Sequence, residues 1–286
     1  RSAMPVGGRI TVRGNGGRID AQLHQIAVPG GDVNGRVTVT SDRRLQGDVN
    51  GHAADVGRVT SSIEAFTGRP RGSLLPTPIA GGADITARLA GSITAPTAIT
   101  TVNAPALTIG MAEGIAVNAE ASYEPRAITI SRADVTWQQA RAHIDGRVGL
   151  GPNQPIDLKV SADDLDVQSL LQALNQAGVP ISGMLFARGT VGGTVTRPIA
   201  MIVAKGSNLV AYEEQIGSLD ADIRLDGREL TVSELVVDKP QPDQPGRVTA
   251  MGTYHLDRKT YTFDLQSQGL RLVGLLLPSG QRLRGD

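Results

Sequence analysis

The sequence contains no cysteine, which excludes disulfide bonds, thiolate metal sites and cysteine nucleophiles. Aromatic residues are also scarce: one tryptophan, four tyrosines and three phenylalanines are too few to build stacking platforms that read bases or sugars. The 28 lysines and arginines are balanced by 28 aspartates and glutamates, so no positive excess exists to displace the counterions of a nucleic acid. The sequence therefore predicts no nucleic-acid partner.

Long apolar runs are absent as well. Uninterrupted runs such as residues 275–277 are far shorter than the ~20 residues that a membrane-spanning helix needs. The chain opens on Arg1-Ser2-Ala3-Met4 and shows no charged-then-apolar leader. Because both ends stop inside a repeated pattern, we expect the chain to be a piece of a longer protein, with any membrane anchor outside it.

The sequence is built from copies of one pattern. Gly146 recurs as Gly252 at a spacing of 106, and Ile156, Leu158 and Val160 recur as Tyr261, Phe263 and Leu265 at a spacing of 105. Further matches join Gly91 to Gly193 and Pro96 to Pro198 at 102, and Gly35 to Gly146 and Asp55 to Asp166 at 111. We expect three segments of one continuous β-groove: a worn partial repeat over residues 1–70, a repeat ending in a short helix over 71–178, and a repeat truncated at its end over 179–286.

Within each copy, short segments of alternating apolar and polar residues predict β-strands separated by turn formers. One exception is the stretch from Asp166 to Gly178, whose apolar residues have helical spacing. There Asp166 is the expected N-cap and Gly178 the expected C-terminal cap. The proline- and glycine-rich stretch 68–82 is expected to be a loop, and Gly14 to Gly17 a hairpin turn. The predicted fold is all-β: an elongated, repetitive antiparallel sheet curled into an open apolar groove, with one or two short helices.

These tandem strand pairs resemble the AsmA/TamB family of Gram-negative envelope proteins. The resemblance rests on the Tyr-Thr-Phe-Asp-Leu strand at 261–265, the LDVQSLL and LRLVGLL segments at 165–171 and 270–276, and the GGTVTRP unit at 192–198. It covers most of the chain, from near residue 30 to residue 277. The N-terminal membrane helix of the family and any recognisable C-terminal module are missing from this sequence.

The resemblance implies a long β-sheet with an apolar groove, anchored in the inner membrane and extending through the periplasm. It implies a role in passing phospholipids towards the outer membrane or in supporting its assembly, with phospholipid acyl chains and envelope proteins as partners. The alternating apolar residues are the candidate lining of this groove. They are Ile128, Ile130, Ile144, Val148, Leu150, Ile156, Leu158, Val160, Ile223, Leu225, Val248, Ala250, Tyr254, Leu256, Tyr261, Phe263 and Leu265.

No pattern of catalytic residues emerges. The histidines at 24, 52, 143 and 255 form no metal-binding spacing, and no Gly-x-Ser-x-Gly elbow occurs. The aspartates at 163, 164 and 166 fit a solvated helix start better than a calcium or acid–base site. We therefore expect neither enzyme activity nor a catalytic residue, and neither a metal nor a cofactor.

Two alternatives stay open. The apolar side of the strands could pack against a second sheet, as in most sheets with one apolar face. The chain could also be a structural or adhesive β-solenoid segment of a surface-exposed or secreted protein. A solenoid usually has a short period of ~20–30 residues, whereas the period here is near 105.

Overall fold

The computed structural model of this chain describes residues 6–72, 77–150, 154–240, 246–269, 273–276 and 282–284. Antiparallel strands account for 72% of the structure, the sheet is open rather than closed on itself, and only two short helices interrupt the strands. The prediction of an all-β, antiparallel, open sheet with one or two short helices is therefore confirmed. The curling of that sheet into a groove stays a prediction.

Contacts divide the chain into two compact units. The first unit comprises Arg1–Gln138 and Asp145–Gly151, and the second comprises Gln139–Ile144 and Pro152–Asp286. This division differs from the three predicted segments, because the expected boundary between residues 178 and 179 lies inside the second unit. The segment boundaries stay a prediction, and each unit is described by itself.

The first unit is an antiparallel meander in which each strand except β5 is hydrogen-bonded to the next. Its elements in chain order are β1 (Gly7–Asn15), β2 (Arg18–Val28), β3 (Gly31–Val39), β4 (Leu45–Ala53), α1 (Val56–Thr67), β5 (Ile79–Ala80), β6 (Ala83–Gly91), β7 (Pro96–Ile109), β8 (Ala112–Glu124) and β9 (Ala127–Trp137). Strand β4 pairs directly with β6, and the two-residue strand β5 pairs with β7. The turn between β1 and β2 contains Gly16 and Gly17 at φ 58° and 85°, which confirms the predicted hairpin turn.

Strand β10 (Ala140–Gly149) is divided between the units, and the second unit continues with a meander of seven strands. Its elements are β11 (Ile156–Asp166), α2 (Val167–Ala173), β12 (Ile181–Gly193), β13 (Pro198–Ala211), β14 (Glu214–Asp226), β15 (Glu229–Lys239), β16 (Gly246–His255) and β17 (Thr260–Gln268). The strands β18 (Val273–Leu276) and β19 (Arg282–Arg284) form a separate pair, and residues 270–272 of the LRLVGLL segment lie outside the described residues.

Three consecutive strands of the first unit recur in the second. Strands β7, β8 and β9 contain 14, 13 and 11 residues, and so do β13, β14 and β15, which follow at a spacing of 102. Irregularities recur as well: the ladder of β8 with β9 shifts at Ile130, and the ladder of β14 with β15 shifts at Val232. In each case one extra residue forms a β-bulge, Ser131 or Ser233. The repeat therefore extends to details of the backbone.

The helices begin alike and end differently. Asp55 and Asp166 are the N-caps, and each side chain accepts a hydrogen bond from the backbone N–H three residues on. Helix α1 ends on Gly68 in the left-handed conformation, at φ 72°. The prediction that Gly178 caps the second helix is wrong: α2 ends at Ala173, and Asn175 takes the left-handed position at φ 59°. The N–H of Gln176 then donates to the Leu171 carbonyl, so a short asparagine replaces the usual glycine.

Helix α1 and strand β5 were not predicted, and both lie near or within the stretch expected to be a loop. Strand β5 lies within residues 77–82, where it pairs with β7 and contacts α1. Among the described residues, neither helix has the length and apolar character that a membrane-spanning segment needs.

Candidate functional site

The second unit has one face made almost wholly of apolar residues, which we call the second apolar face. Directly opposed residues of an antiparallel ladder point to the same side of a sheet, so the strand registers define the face as rows that cross the strands. Every member of its four rows except Ser267 is apolar or glycine. In order from β11 to β17 the rows are Leu158, Val191, Ala200, Leu225, Leu230, Tyr254 and Tyr261; Val160, Gly189, Ile202, Ile223, Val232, Gly252 and Phe263; Ala162, Ala187, Ala204, Ala221, Leu235, Ala250 and Leu265; and Leu165, Leu185, Gly206, Leu219, Val237, Val248 and Ser267.

The opposite side of the same strands is mainly polar. Lys205 and Asp220 are opposed on β13 and β14 and form an ion pair of 2.9 Å between Nζ and Oδ1. Arg224 and Asp222 lie on the same side of β14 and are exposed. Because side chains alternate along a strand, each strand of the second unit separates an apolar face from a solvated one.

The large residues of the second apolar face remain accessible to solvent. Its buried members are Ala200, Gly206, Ala221 and Ala250, whereas every leucine, isoleucine, valine and tyrosine in the rows is half-buried or exposed. On β17 the exposure reaches 71% for Tyr261, 48% for Phe263 and 67% for Leu265. A facing layer would bury the largest side chains most completely, as in a close-packed core. Here only alanine and glycine members of the face are buried. The larger side chains beside them in the same sheet are sufficient to cover them.

The first unit has a matching face, which we call the first apolar face. Its three rows are apolar or glycine except at Thr100. They are Val12, Ala21, Val37, Gly47, Leu89, Ala98, Tyr123 and Ile128; Ile10, Leu23, Gly35, Val49, Ala87, Thr100, Ala121 and Ile130; and Ile26, Val33, Gly51, Ile85, Val102, Ala119 and Ala133. Within these rows Ala133 alone is buried. The first apolar face is therefore as accessible as the second.

Helix α1 closes one end of the first apolar face. Ala83 and Ala104 continue the apolar side of β6 and β7 by two residues beyond Ile85 and Val102, and they belong to a small buried cluster with Leu107 and Ile115. Val56 of α1, Ile79 of β5 and Trp137 of β9 pack against this cluster. This buried apolar cluster thus lies at the end of the face rather than beneath it.

The corresponding corner of the second unit is ionic. Lys239 and Glu214 form an ion pair there, with side chains only 9% and 19% exposed. At the spacing of 102 they correspond to Trp137 and Ala112, which pack against the buried cluster of the first unit. The indole of Trp137 donates from Nε1 to the Glu113 carbonyl at 3.1 Å. One position in the repeat therefore holds an apolar contact in one copy and a partly buried ion pair in the other.

Glycine at an equivalent strand position lets neighbouring strands approach closely in both units. A Cβ on Gly252 would collide with the ring of Phe263 and the carbonyl of Thr262 on β17. A Cβ on Gly35 would collide with the carbonyl of Asp48 on β4, and would lie within 2.9 Å of the Val49 Cα. These two glycines belong to the repeated set with Gly146, so the close approach explains why the residue recurs.

The polar side of the first unit carries its own ladder. Asp32, His52, Asp84, Asn103, Asn118 and Asp134 are opposed in turn across β3, β4, β6, β7, β8 and β9. The Nδ1 atom of His52 lies 2.7 Å from Oδ1 of Asp84, and this hydrogen bond raises the pKa of His52 above its ordinary value of 6.5. Both side chains are more than half exposed, so the pair is a solvated one.

The structure brings most of the predicted groove-lining residues onto these two faces. Ile128 and Ile130 lie on the first apolar face; Leu158, Val160, Ile223, Leu225, Val248, Ala250, Tyr254, Tyr261, Phe263 and Leu265 lie on the second. Ile156 lies two residues before Leu158 on the same side of β11. Leu256 follows the end of β16. Ile144 and Val148 belong to the divided strand β10, and Leu150 follows it. Whether these residues line a lipid groove stays a prediction.

Many members of the faces were not predicted, and β-bulges explain part of this. On β15 the face-lining residues are Leu230, Val232, Leu235 and Val237, so the alternation slips by one residue at Ser233. The same slip separates Ile130 from Ala133 on β9. Strict alternation therefore assigns the residues beyond each bulge to the wrong side of the sheet. In β12 and β13 the alternation is regular, and Val191 and Ile202 could have been found from it.

No group of three or more histidines, aspartates or glutamates among the described residues could hold a metal ion. The chemistry that the faces supply is nonpolar contact over a large accessible area. We compared the chain with family models, curated proteins and solved structures. No family model, no curated protein and no solved structure matches it.

Proposed function

We propose that the chain is a segment of a periplasmic, inner-membrane-anchored envelope protein that shields or conducts phospholipid acyl chains between the two membranes, in support of outer-membrane biogenesis. The observation that carries the proposal is the accessibility of the two apolar faces. Their leucines, valines, isoleucines and tyrosines lie in rows that only Thr100 and Ser267 interrupt with a polar residue, and they are not buried. Exposed apolar patches of this extent are typical of interaction surfaces.

Hydrocarbon suits such a face physically. Each CH₂ group that leaves water for an apolar surface gains about 0.8 kcal/mol, and it requires no hydrogen bond. The backbone polar groups of the strands are satisfied within the ladders, so the face offers an acyl chain little besides carbon. Because the rows repeat at each strand, about every 4.8 Å, a chain can shift along the face between equivalent positions.

The family resemblance supports the envelope location and the membrane-related role. Its expected partners are phospholipid acyl chains and envelope proteins at the inner or outer membrane. The apolar rows, and the bulges that recur with them, account for an apolar surface of similar character in both units. No part of the proposal requires a catalytic residue or a cofactor.

Lipid extraction tests the proposal directly. We expect the purified chain to carry phospholipid in near-stoichiometric amounts, measured by mass spectrometry of an organic extract. Recovery of a lipid-free, monodisperse protein that does not take up phospholipid from vesicles would contradict it. That outcome would favour the alternative of a structural or adhesive β-solenoid segment.

Two substitutions on the second apolar face sharpen the test. Leu158→Glu and Phe263→Glu should each abolish photocrosslinking to acyl chains while the chain still folds, because both positions are hydrated before lipid binds. Thr262→Glu is the matched control, since Thr262 lies beside Phe263 on the opposite side of β17 and is exposed. Unfolding of both face variants but not of the control would indicate a closed core and would contradict the proposal.

A further inference from the structure

A cleft lies beside helix α1, at the end of the first apolar face that the helix closes. The cleft has a volume of about 570 Å³, and its lining includes Asp55, Arg58, Ser61, Glu64, Arg71 and Ile79. Ile79 also packs against the buried cluster that ends the face, next to Val56 of the helix. The cleft and the apolar face are therefore adjacent.

The cations of the cleft are unengaged among the described residues, whereas each of its carboxylates accepts a backbone hydrogen bond. The side chains of Arg58, Ser61 and Arg71 make no hydrogen bond or ion pair with any residue that the structure describes. Asp55 is the N-cap of α1 and accepts from the Arg58 backbone N–H at 3.1 Å. Glu64, only 2% exposed, accepts from the Gly72 N–H at 3.0 Å.

Buried Glu64 therefore holds the loop that carries Arg71. Its hydrogen bond to Gly72 and the bond from the Arg69 N–H to the Glu64 carbonyl fix residues 68–72 against the end of α1. Arg71 thus lines the cleft from the loop, and Arg58 lines it from the first turn of the helix. Two guanidinium groups on separately anchored segments, with a free hydroxyl, form a set of donors suited to a phosphate.

We propose that this cleft binds the phosphate of a glycerophospholipid headgroup whose acyl chains lie on the first apolar face. The inference rests on the proposed function, because it assigns a headgroup site to the same lipid. The available hydrogen-bond donors favour this occupant: the unengaged groups are cationic or hydroxylic, the two carboxylates already accept backbone N–H groups, and the adjoining surface is apolar. Helix α2 has no such site, since Ser169 stands at the position of Arg58 and α2 contains no cation.

A pair of lipid probes tests the site. Phosphatidylglycerol and diacylglycerol that carry the same fluorescent acyl label differ only in the phosphate headgroup, so the ratio of their dissociation constants reports headgroup recognition. We expect the intact chain to bind phosphatidylglycerol about 10-fold more tightly than diacylglycerol, a typical size for charge-assisted hydrogen bonds. Arg58→Gln with Arg71→Gln should reduce the ratio towards one and leave diacylglycerol binding unchanged. Arg188→Gln is the matched control, because Arg188 is exposed on β12 and makes no ion pair with a described residue.

The outcomes separate this inference from the proposed function. If neither probe binds the intact chain, the proposed function fails. If both probes bind equally well to the intact chain and to the variants, the function stands and the headgroup site is overturned. If glycerophosphoglycerol without acyl chains binds as tightly as the lipid, the cleft is a site for free phosphate esters, and its link to the apolar face is overturned. Circular dichroism of each variant, with Arg71→Gln alone as the milder change, establishes that loss of binding is not loss of fold.

Discussion

The two units share the architecture of their faces and differ in the polar groups placed around them. Opposed rows of apolar residues, a bulge at Ser131 or Ser233 and an aspartate N-cap occur in both. The first unit adds a cleft with Arg58 and Arg71 beside its helix, whereas the second has no cation in α2. At the repeated corner, an apolar contact of Trp137 in the first unit is replaced by the Lys239–Glu214 pair in the second.

This difference distinguishes the part of the repeat that both units share from the part that varies between them. The apolar rows are common to both copies, so they supply the property that each copy must have, nonpolar contact over several strands. The polar groups vary from copy to copy, so they supply local tasks such as stabilising a corner or, as we propose, holding one headgroup. Substitutions at matched positions of the two units can therefore break or sharpen the comparison.

The largest effect is expected at the ionic corner. Lys239→Met leaves Glu214 without its cation in a position that is largely screened from water, and should lower the free energy of unfolding by about 3 kcal/mol. The double variant Lys239→Met with Glu214→Ala approaches the apolar corner of the first unit, and should return to within about 1 kcal/mol of the original chain. Urea unfolding measures both. A double variant as unstable as the single one would show that the two corners are not interchangeable.

The next effect concerns binding to the second apolar face. Ile202→Glu places a carboxylate in the middle row, opposite Ile223, and should weaken acyl-chain binding by about 30-fold, since burying an unpaired polar group costs about 2 kcal/mol. Val203→Glu is the matched control, because Val203 is opposed to Arg188 and Asp222 on the other side of β13. Equal losses in the two variants, measured by titration with a fluorescent fatty acid, would show that binding does not distinguish the faces.

A smaller effect is expected from the repeated glycine. Gly252→Ala and Gly35→Ala should each lower the free energy of unfolding by about 1.5 kcal/mol, because the added methyl forces neighbouring strands apart. Gly51→Ala is the control on β4, where the nearest atom to an added Cβ is the Asp32 carbonyl oxygen at 3.9 Å. Thermal unfolding of the three variants tests this; a loss in the control as large as in the others would indicate a general cost of alanine in these strands.

The smallest effect is a pH dependence that comes from the His52–Asp84 pair of the first unit. The Asp84 carboxylate raises the folded-state pKa of His52, so this pair stabilises the fold fully below the ordinary value of 6.5, and its contribution is lost as pH rises through the raised pKa. His52→Gln should remove that dependence. The corresponding residues of the second unit, Asp163 and Phe186, contain no histidine. A pH profile of unfolding that is unchanged by the substitution would contradict the assignment.

Sequence alone was sufficient for the fold class and for the most regular hairpin. Tyr254, Tyr261 and Phe263 follow a strict period of two in β16 and β17, and the structure places them on one face. Helix α1 was missed although Asp55, Val56 and Val59 had both the capping and the spacing of a helix, and although Asp55 matched Asp166 in the repeat. The proline- and glycine-rich stretch that follows obscured the pattern.

The residues of the candidate sites also differ in how well the sequence predicts them. Face-lining residues on regular strands could be read from alternation, but those beyond a bulge, such as Leu235, could not, because a bulge leaves no clear signature in composition. The cleft beside α1 could not be predicted from the sequence for another reason. Arg58 and Arg71 are 13 positions apart, and they line one cleft only because Glu64 folds the intervening loop back on the helix.

The paired bulges have a consequence for the shape of each strand. Ser131 donates to the Glu120 carbonyl at 3.0 Å and Ser233 to the Asp222 carbonyl at 3.5 Å, so in both copies the surplus residue satisfies an acceptor on the adjoining strand. Deleting Ser233 would restore the regular alternation of face-lining residues from Val232 to Val237. The deletion would remove the local coiling that a bulge imparts to a strand. The pattern of apolar and polar side chains does not require the bulge that both units share. A chain without Ser233 would therefore measure how far the coiling that a bulge imparts governs what the second apolar face can bind.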